Sequence, residues 1–353
     1  MRFYSRLAVL LLALPIVSAA AWAQLVPSPD APPVSTAPPP PPEEESVATL
    51  KLNVNLVDLF FTVTDKQGNL VPHLSKADCS VNEDKSPQTI KNFTAETHLP
   101  LTLGILLDTS GSQYRVLPLE QEAGSAFLER VLKPKDQAFL LSFDVNVDLL
   151  QDFTNSPRTL TRAMGKAEIN TAGGNGAAGI PGAGGGTIPT YGTPKGTLLY
   201  DAVYLASREK LNQESGRKAM IILTDGDDQG SEHKITEAIA AAQKSNAIIY
   251  VILIADTGFY GNWGYSGYSA AKRMSEETGG RLINVGNNGK KLEAAFQQIE
   301  DELRTQYVLS YTPTNAKQDG SFRRIGVQCK GDGMKVQVRK GYYAPSAESN
   351  NNR

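Results

Sequence analysis

Leu101-Thr102-Leu103-Gly104-Ile105-Leu106-Leu107 runs straight into Asp108-Thr109-Ser110-Gly111-Ser112. Seven nearly all-apolar residues without polar alternation read as a strand buried on both faces, the kind found in parallel sheets covered by helices. A second such run, Ala219-Met220-Ile221-Ile222-Leu223, ends on Thr224-Asp225-Gly226. Further apolar runs at 138–143, 247–254 and 282–285 give the other buried strands, and 147–153 reads as an antiparallel edge strand. Between them Ile235, Ala238, Ile239 and Ala242 share one helical face, as do Leu292, Ala295, Phe296, Ile299 and Leu303. Alternation of this kind predicts an α/β fold over residues 99–304: a doubly wound, mostly parallel sheet with helices on both faces.

In such a sheet, ligands bind beyond the carboxyl ends of the strands, where strand order reverses. If the two Asp-bearing strands are central neighbours, Asp108 and Asp225 meet there. Thr197 opens a helical segment, Thr197-Leu198-Leu199-Tyr200-Asp201-Ala202. Asp108, Ser110, Ser112, Thr197 and Asp225 together offer two carboxylates and three hydroxyls, an oxygen-only set that suits Mg²⁺ or Mn²⁺. Asp-x-Ser-x-Ser alone also describes ordinary turns and helix caps; the three segments in order at strand and helix junctions are more specific. An aspartic protease would carry Gly where Ser110 stands, and a phosphatase a second Asp there. His73, His98 and His233 are too scattered for a zinc protease, and no G-x-S-x-G elbow marks a serine hydrolase. A formal net charge of −2 gives no electrostatic case for nucleic acid.

The three segments resemble the metal-ion-dependent adhesion site of von Willebrand factor type A domains and the related integrin inserted domains, and the resemblance covers 99–304. It implies Ser110, Ser112 and Thr197 as direct ligands, with Asp108 and Asp225 acting directly or through water. It also implies an open position for an acidic group on a partner protein. The flanks resemble those of secreted bacterial von Willebrand factor A-related proteins: Val63-Thr64-Asp65-Lys66-Gln67-Gly68-Asn69-Leu70-Val71, then Glu83-Asp84. The function expected is a metal-dependent, adhesion-type protein-binding module, not an enzyme. The alternative is a structural or assembly protein of the envelope whose contacts ignore metal.

The rest of the chain reads as packaging for that domain. Arg2 and Arg6, the apolar stretch 7–17 and Ala21-Trp22-Ala23 form a signal peptide over 1–23, so the mature protein is expected to be exported without a transmembrane segment. Residues 24–46, with Pro38 to Pro42 and Glu43-Glu44-Glu45, make an extended linker. Residues 47–98 and 305–343 alternate as strands, with a phase slip at Leu56-Val57, and neither piece has enough strands to stand alone. They are expected to complete one small β-sandwich, followed by a disordered tail at 344–353. Two departures from a compact domain are the Gly-rich loop at 171–196 and the loop at 256–269, which carries Phe259, Tyr260, Trp263, Tyr265 and Tyr268. That second loop suits either a contact surface or packing on its own domain. The only two cysteines, Cys79 and Cys329, either pair with each other or are two buried thiols.

Overall fold

The computed structural model describes residues 56–95, 99–169, 196–254 and 267–346. The expected signal peptide and linker, nearly all of the Gly-rich loop and most of the aromatic loop lie outside them. The chain divides into Met1–Leu52, outside the described residues, and Asn53–Arg353.

Six strands form the sheet that the apolar runs predict: β5 (Leu101–Asp108), β6 (Gln137–Phe143), β7 (Val147–Thr154), β8 (Arg217–Thr224), β9 (Ala247–Leu253) and β10 (Leu282–Asn284), in the order β10-β9-β8-β5-β6-β7. All pairings are parallel except β6 with β7, the antiparallel edge. Every residue of β5, β8 and β9 is buried, because helices cover both faces. Leu101, Leu103, Ile105 and Leu107 point to the face closed by α1 (Leu117–Val131), α2 (Pro157–Met164) and α6 (Gly289–Arg304). Leu106, Met220, Ile222 and Val251 point to the other face, under α3 (Leu199–Leu205), α4 (Ile235–Lys244) and α5 (Gly267–Thr278). Gly104 has no side chain because the Phe139 ring fills the space: a Cβ there would lie 2.6 Å from it.

The flanking strands pair as expected, and each sheet draws on both flanks. One sheet has the order β13-β1-β11-β4, from β13 (Lys335–Val338), β1 (Val57–Thr64), β11 (Tyr307–Tyr311) and β4 (Ile90–Ala95). The other has the order β14-β12-β2-β3, from β14 (Gly341–Tyr343), β12 (Phe322–Cys329), β2 (Cys79–Glu83) and β3 (Ser86–Gln88). Leu59, Phe61, Val63, Leu309, Ile325 and Val327 fill the space between them. Cys79 and Cys329 face each other across the β2–β12 ladder and are disulfide-bonded, with their Cα atoms 4.0 Å apart. A buried polar group also sits in this core. Tyr311 and Tyr342 each donate to Glu83 Oε2 at 2.8 Å, and Arg323 donates to Oε1 at 3.4 Å.

The sandwich joins the amino ends of the central strands. Arg217, at the start of β8, donates to Leu99 O at 3.1 and 3.0 Å and to Leu303 O at 2.6 Å. Arg339, after β13, donates to Asp58 O at 3.0 Å and to the Asn246 side chain just before β9. The carboxyl ends of β5 and β8 are therefore turned away from the sandwich. Two expectations need correction. Helix α3 begins at Leu199, two residues after Thr197, because Thr197 is held as a β-bridge to Gln229 and Gly230. The tail does not come loose at Ala344, which is buried and donates to Ser321 O at 2.9 Å, while Ser346 bridges to Asp319. Residues from 347 onward lie outside the described ones.

Candidate metal centre

β5 and β8 pair directly, in register from Leu101↔Arg217 to Leu107↔Leu223. Their carboxyl ends thus place Asp108 beside Thr224, and Asp225 one residue further on. Chain direction changes sides here, since β6 lies on one flank of β5 and β8 on the other.

Asp108 is fully buried and tightly held. Its Oδ1 accepts the Ser110 N–H at 3.0 Å, and its Oδ2 accepts the Thr224 hydroxyl at 2.6 Å. The Thr224 hydroxyl in turn accepts the Gly226 N–H at 2.9 Å. Asp225 is 1 % exposed, and its Oδ1 accepts the Asp227 N–H at 3.1 Å. The Ser110 and Ser112 hydroxyl oxygens lie 3.0 Å apart. Burial, and then the neighbouring charge of Asp225, push the Asp108 carboxyl up to about 7; hydrogen bonds from Ser110 and Thr224 hold it down in part.

Thr197 reaches the group through its neighbours. Thr197 and Gln229 exchange backbone hydrogen bonds, which fastens Thr197 to the loop after β8. Leu198 N–H donates to Asp144 O at 2.8 Å, while the Thr109 hydroxyl donates to Asp144 Oδ2 at 2.9 Å. Asp144, at the end of β6, therefore ties the Asp-x-Ser-x-Ser loop to the Thr197 segment. The sequence reading passed over it, although an Asp directly after a buried apolar run is the same signal that marks Asp108 and Asp225. From the sequence, Asp227 and Asp228 read either as acids that tune the metal site or as a solvated turn. Asp228 instead accepts the Tyr200 N–H at 3.0 Å and the Ser231 hydroxyl at 2.6 Å, which fastens the first turn of α3.

Two glycines let the loops close. Gly226 has φ +83°, and a Cβ there would lie 2.6 Å from Gly267 O; one on Gly267 would lie 2.4 Å from Asp225 O. The start of α5 thus packs backbone to backbone against the Asp225 turn. Tyr114 and Tyr268 are exposed, Tyr114 two residues past Ser112 and Tyr268 in the first turn of α5.

The donor set fits a hard divalent cation: all donors are oxygens, and two carboxylates are buried within each other's field. Among the described residues no group of three or more His, Cys, Asp and Glu side chains is placed to hold a metal. This centre offers serine and threonine hydroxyls in their stead.

No protein-family profile and no curated protein matches the chain. Solved structures do. BatB of Bacteroides thetaiotaomicron is 17% identical over 58% of this chain and 99% of its own, with a TM-score of 0.43. Proximal thread matrix protein 1 of the mussel byssus, in a structure described as having a zinc-occupied MIDAS motif, is 16% identical over 62% of this chain and 48% of its own, at 0.44. The von Willebrand factor domain of the pilus tip protein Mfa5 of Porphyromonas gingivalis is 12% identical over 58% and 95%, at 0.40. Similarities of this size bear on neither ligand nor partner; the structures that this chain resembles include von Willebrand factor domains.

Proposed function

We propose that the chain is an exported, non-enzymatic protein-binding module. Its Asp108–Asp225 centre would hold Mg²⁺ or Mn²⁺ and take an acidic group of a partner protein. The observation that carries this reading is the placement of two buried carboxylates and the Ser110–Ser112 hydroxyl pair at the carboxyl ends of two directly paired central strands.

Asp108 and Asp225 would supply the negative charge that holds the cation, and Ser110, Ser112 and Thr197 neutral oxygens. When bound, the cation supplies a Lewis-acid position for an incoming carboxylate. Thr224 and the Ser110 amide fix Asp108 in one orientation, so the centre is set before anything binds. Export is supported by the Cys79–Cys329 bond, since disulfides form and persist mainly in oxidising compartments. Among the described residues no helix is long and apolar enough to cross a membrane.

The test is a pull-down from envelope extracts with and without EDTA, run beside Asp108→Ala. The reading expects a partner that is lost on chelation, regained with Mg²⁺, and absent for the variant. A partner retained equally under all three conditions would instead favour a structural envelope protein.

A further inference from the structure

Helix α1 starts five residues after Ser112, and its buried face reads Leu117, Glu120, Ala123, Gly124, Phe127, Leu128 and Val131. Six of these positions are apolar or glycine; Glu120 alone is ionisable. It is 0% exposed, and neither of its carboxyl oxygens has a hydrogen-bond partner. The other buried carboxylates among the described residues are all engaged. Glu83 takes two tyrosines and an arginine. Asp136 takes the Leu101 and Lys133 amides, and Asp144 takes Thr109 and Asn146. Asp201 takes His233 and two amides. Glu300 and Glu302 pair with arginines.

A buried acid with nothing to satisfy it costs stability, and a fold keeps such a group where something else completes it. Glu120 is not alone. Gln113, next to Ser112, is fully buried; its side-chain N–H reaches Ile254 O at 3.5 Å while its Oε1 is orphaned. Three of the seven buried side-chain polar atoms without partners among the described residues therefore lie on the short stretch after the Asp-x-Ser-x-Ser loop, and all three are acceptors. What is missing there is a source of positive charge or donated protons. Burial, and after it the charges of Asp108 and Asp225, drive the Glu120 pKa well above the carboxylate range.

We propose that Glu120 is a positioning group behind the metal centre, outside the set of side chains that would hold the cation, and that it orders the surroundings of Asp108 and Asp225. A hard divalent cation that keeps part of its water shell supplies the donors that Glu120 and Gln113 lack. This inference rests on the metal reading above and extends it to a buried acid behind the two aspartates.

The experiment measures Mn²⁺ affinity by calorimetry and the melting temperature in chelator, on the full chain, for wild type, Glu120→Gln and Glu120→Leu. Both variants should bind Mn²⁺ about 10- to 100-fold more weakly. Both should also melt in chelator at the wild-type temperature or above it, because each removes a buried carboxyl without partners. A merely structural Glu120 would move the second reading the other way. Unchanged Mn²⁺ affinity in both variants overturns the role of Glu120 and leaves the two-aspartate centre standing. So does a lower melting temperature in chelator for both. A wild-type chain that takes up no Mn²⁺ removes the metal reading itself, and this inference with it.

Discussion

At the residue scale, the centre depends on positions that tolerate no substitution and on acids that resist ionisation. Gly226 combines φ +83° with a would-be Cβ 2.6 Å from a backbone oxygen. Gly226→Ala should cost about 1–3 kcal/mol in denaturant melts and weaken Mg²⁺ binding by displacing Asp225; equal stability and affinity would contradict it. Asp108 sets a pH dependence with a definite sign. Its carboxyl titrates near 7 in the fold against 3.8 as a free side chain, so the folded state holds a proton that the unfolded chain has released. That stability is fully present below the free value and is lost as pH rises through about 7, by at most about 4 kcal/mol. Metal-free protein should therefore be more resistant to urea at pH 5 than at pH 8, Asp108→Asn should flatten the difference, and Mg²⁺ should abolish it. The sequence marked Asp108, Ser110, Ser112, Thr197 and Asp225 because each falls at a strand or helix junction. It did not mark Glu120, which sits inside a helix where a lone Glu looks like any solvated one. Its burial follows only from the face that α1 turns to the sheet.

At the element scale, the unbroken apolar runs foretold β5, β6, β8 and β9, and period-two alternation foretold β1 and β12, because burial on two faces or on one writes those patterns directly. β3 (Ser86–Gln88) escaped notice: three residues containing Pro87 carry no period, and a short edge strand needs none. The start of α3 was misplaced because Thr197 suits a helix N-terminus, yet a tertiary bridge to Gln229 claims its backbone. The pairing of Cys79 with Cys329 was not decidable from composition. It follows once β2 and β12 are in register. The bond closes a separation of 250 residues, for which loop entropy gives on the order of 5 kcal/mol, with measured values often smaller. Cys79→Ser/Cys329→Ser should therefore melt at lower temperature than the oxidised chain, and thiol titration of unreduced, denatured wild type should find no free thiol. Two free thiols would mean that the ladder does not place these residues together in solution.

At the scale of the whole molecule, the sandwich grips the amino ends of the central strands while the candidate centre lies at their carboxyl ends, so the two can be perturbed separately. Mg²⁺ at a hundredfold excess over Kd should stabilise the chain by about 2.7 kcal/mol, read as a rise in melting temperature. Asp108→Ala and Asp225→Ala should lose most of that rise and keep the disulfide, whereas the double serine variant should keep the rise and start from a lower baseline. The same metal response in the aspartate variants as in wild type would remove the centre. The interleaving of the two flanks also has a consequence in time. As the chain emerges from its amino end, residues 57–95 appear about two hundred residues before β11, so β1 and β4 wait without partners and the β2–β3 pair waits with one open edge until the later strands arrive. The inner six-stranded domain, rich in local strand–helix–strand contacts, can fold in that interval. Once folded, it fixes its entry at Leu101 and its exit at Arg304 in place, and what would be the closure of a very long loop becomes the docking of two short tethered segments.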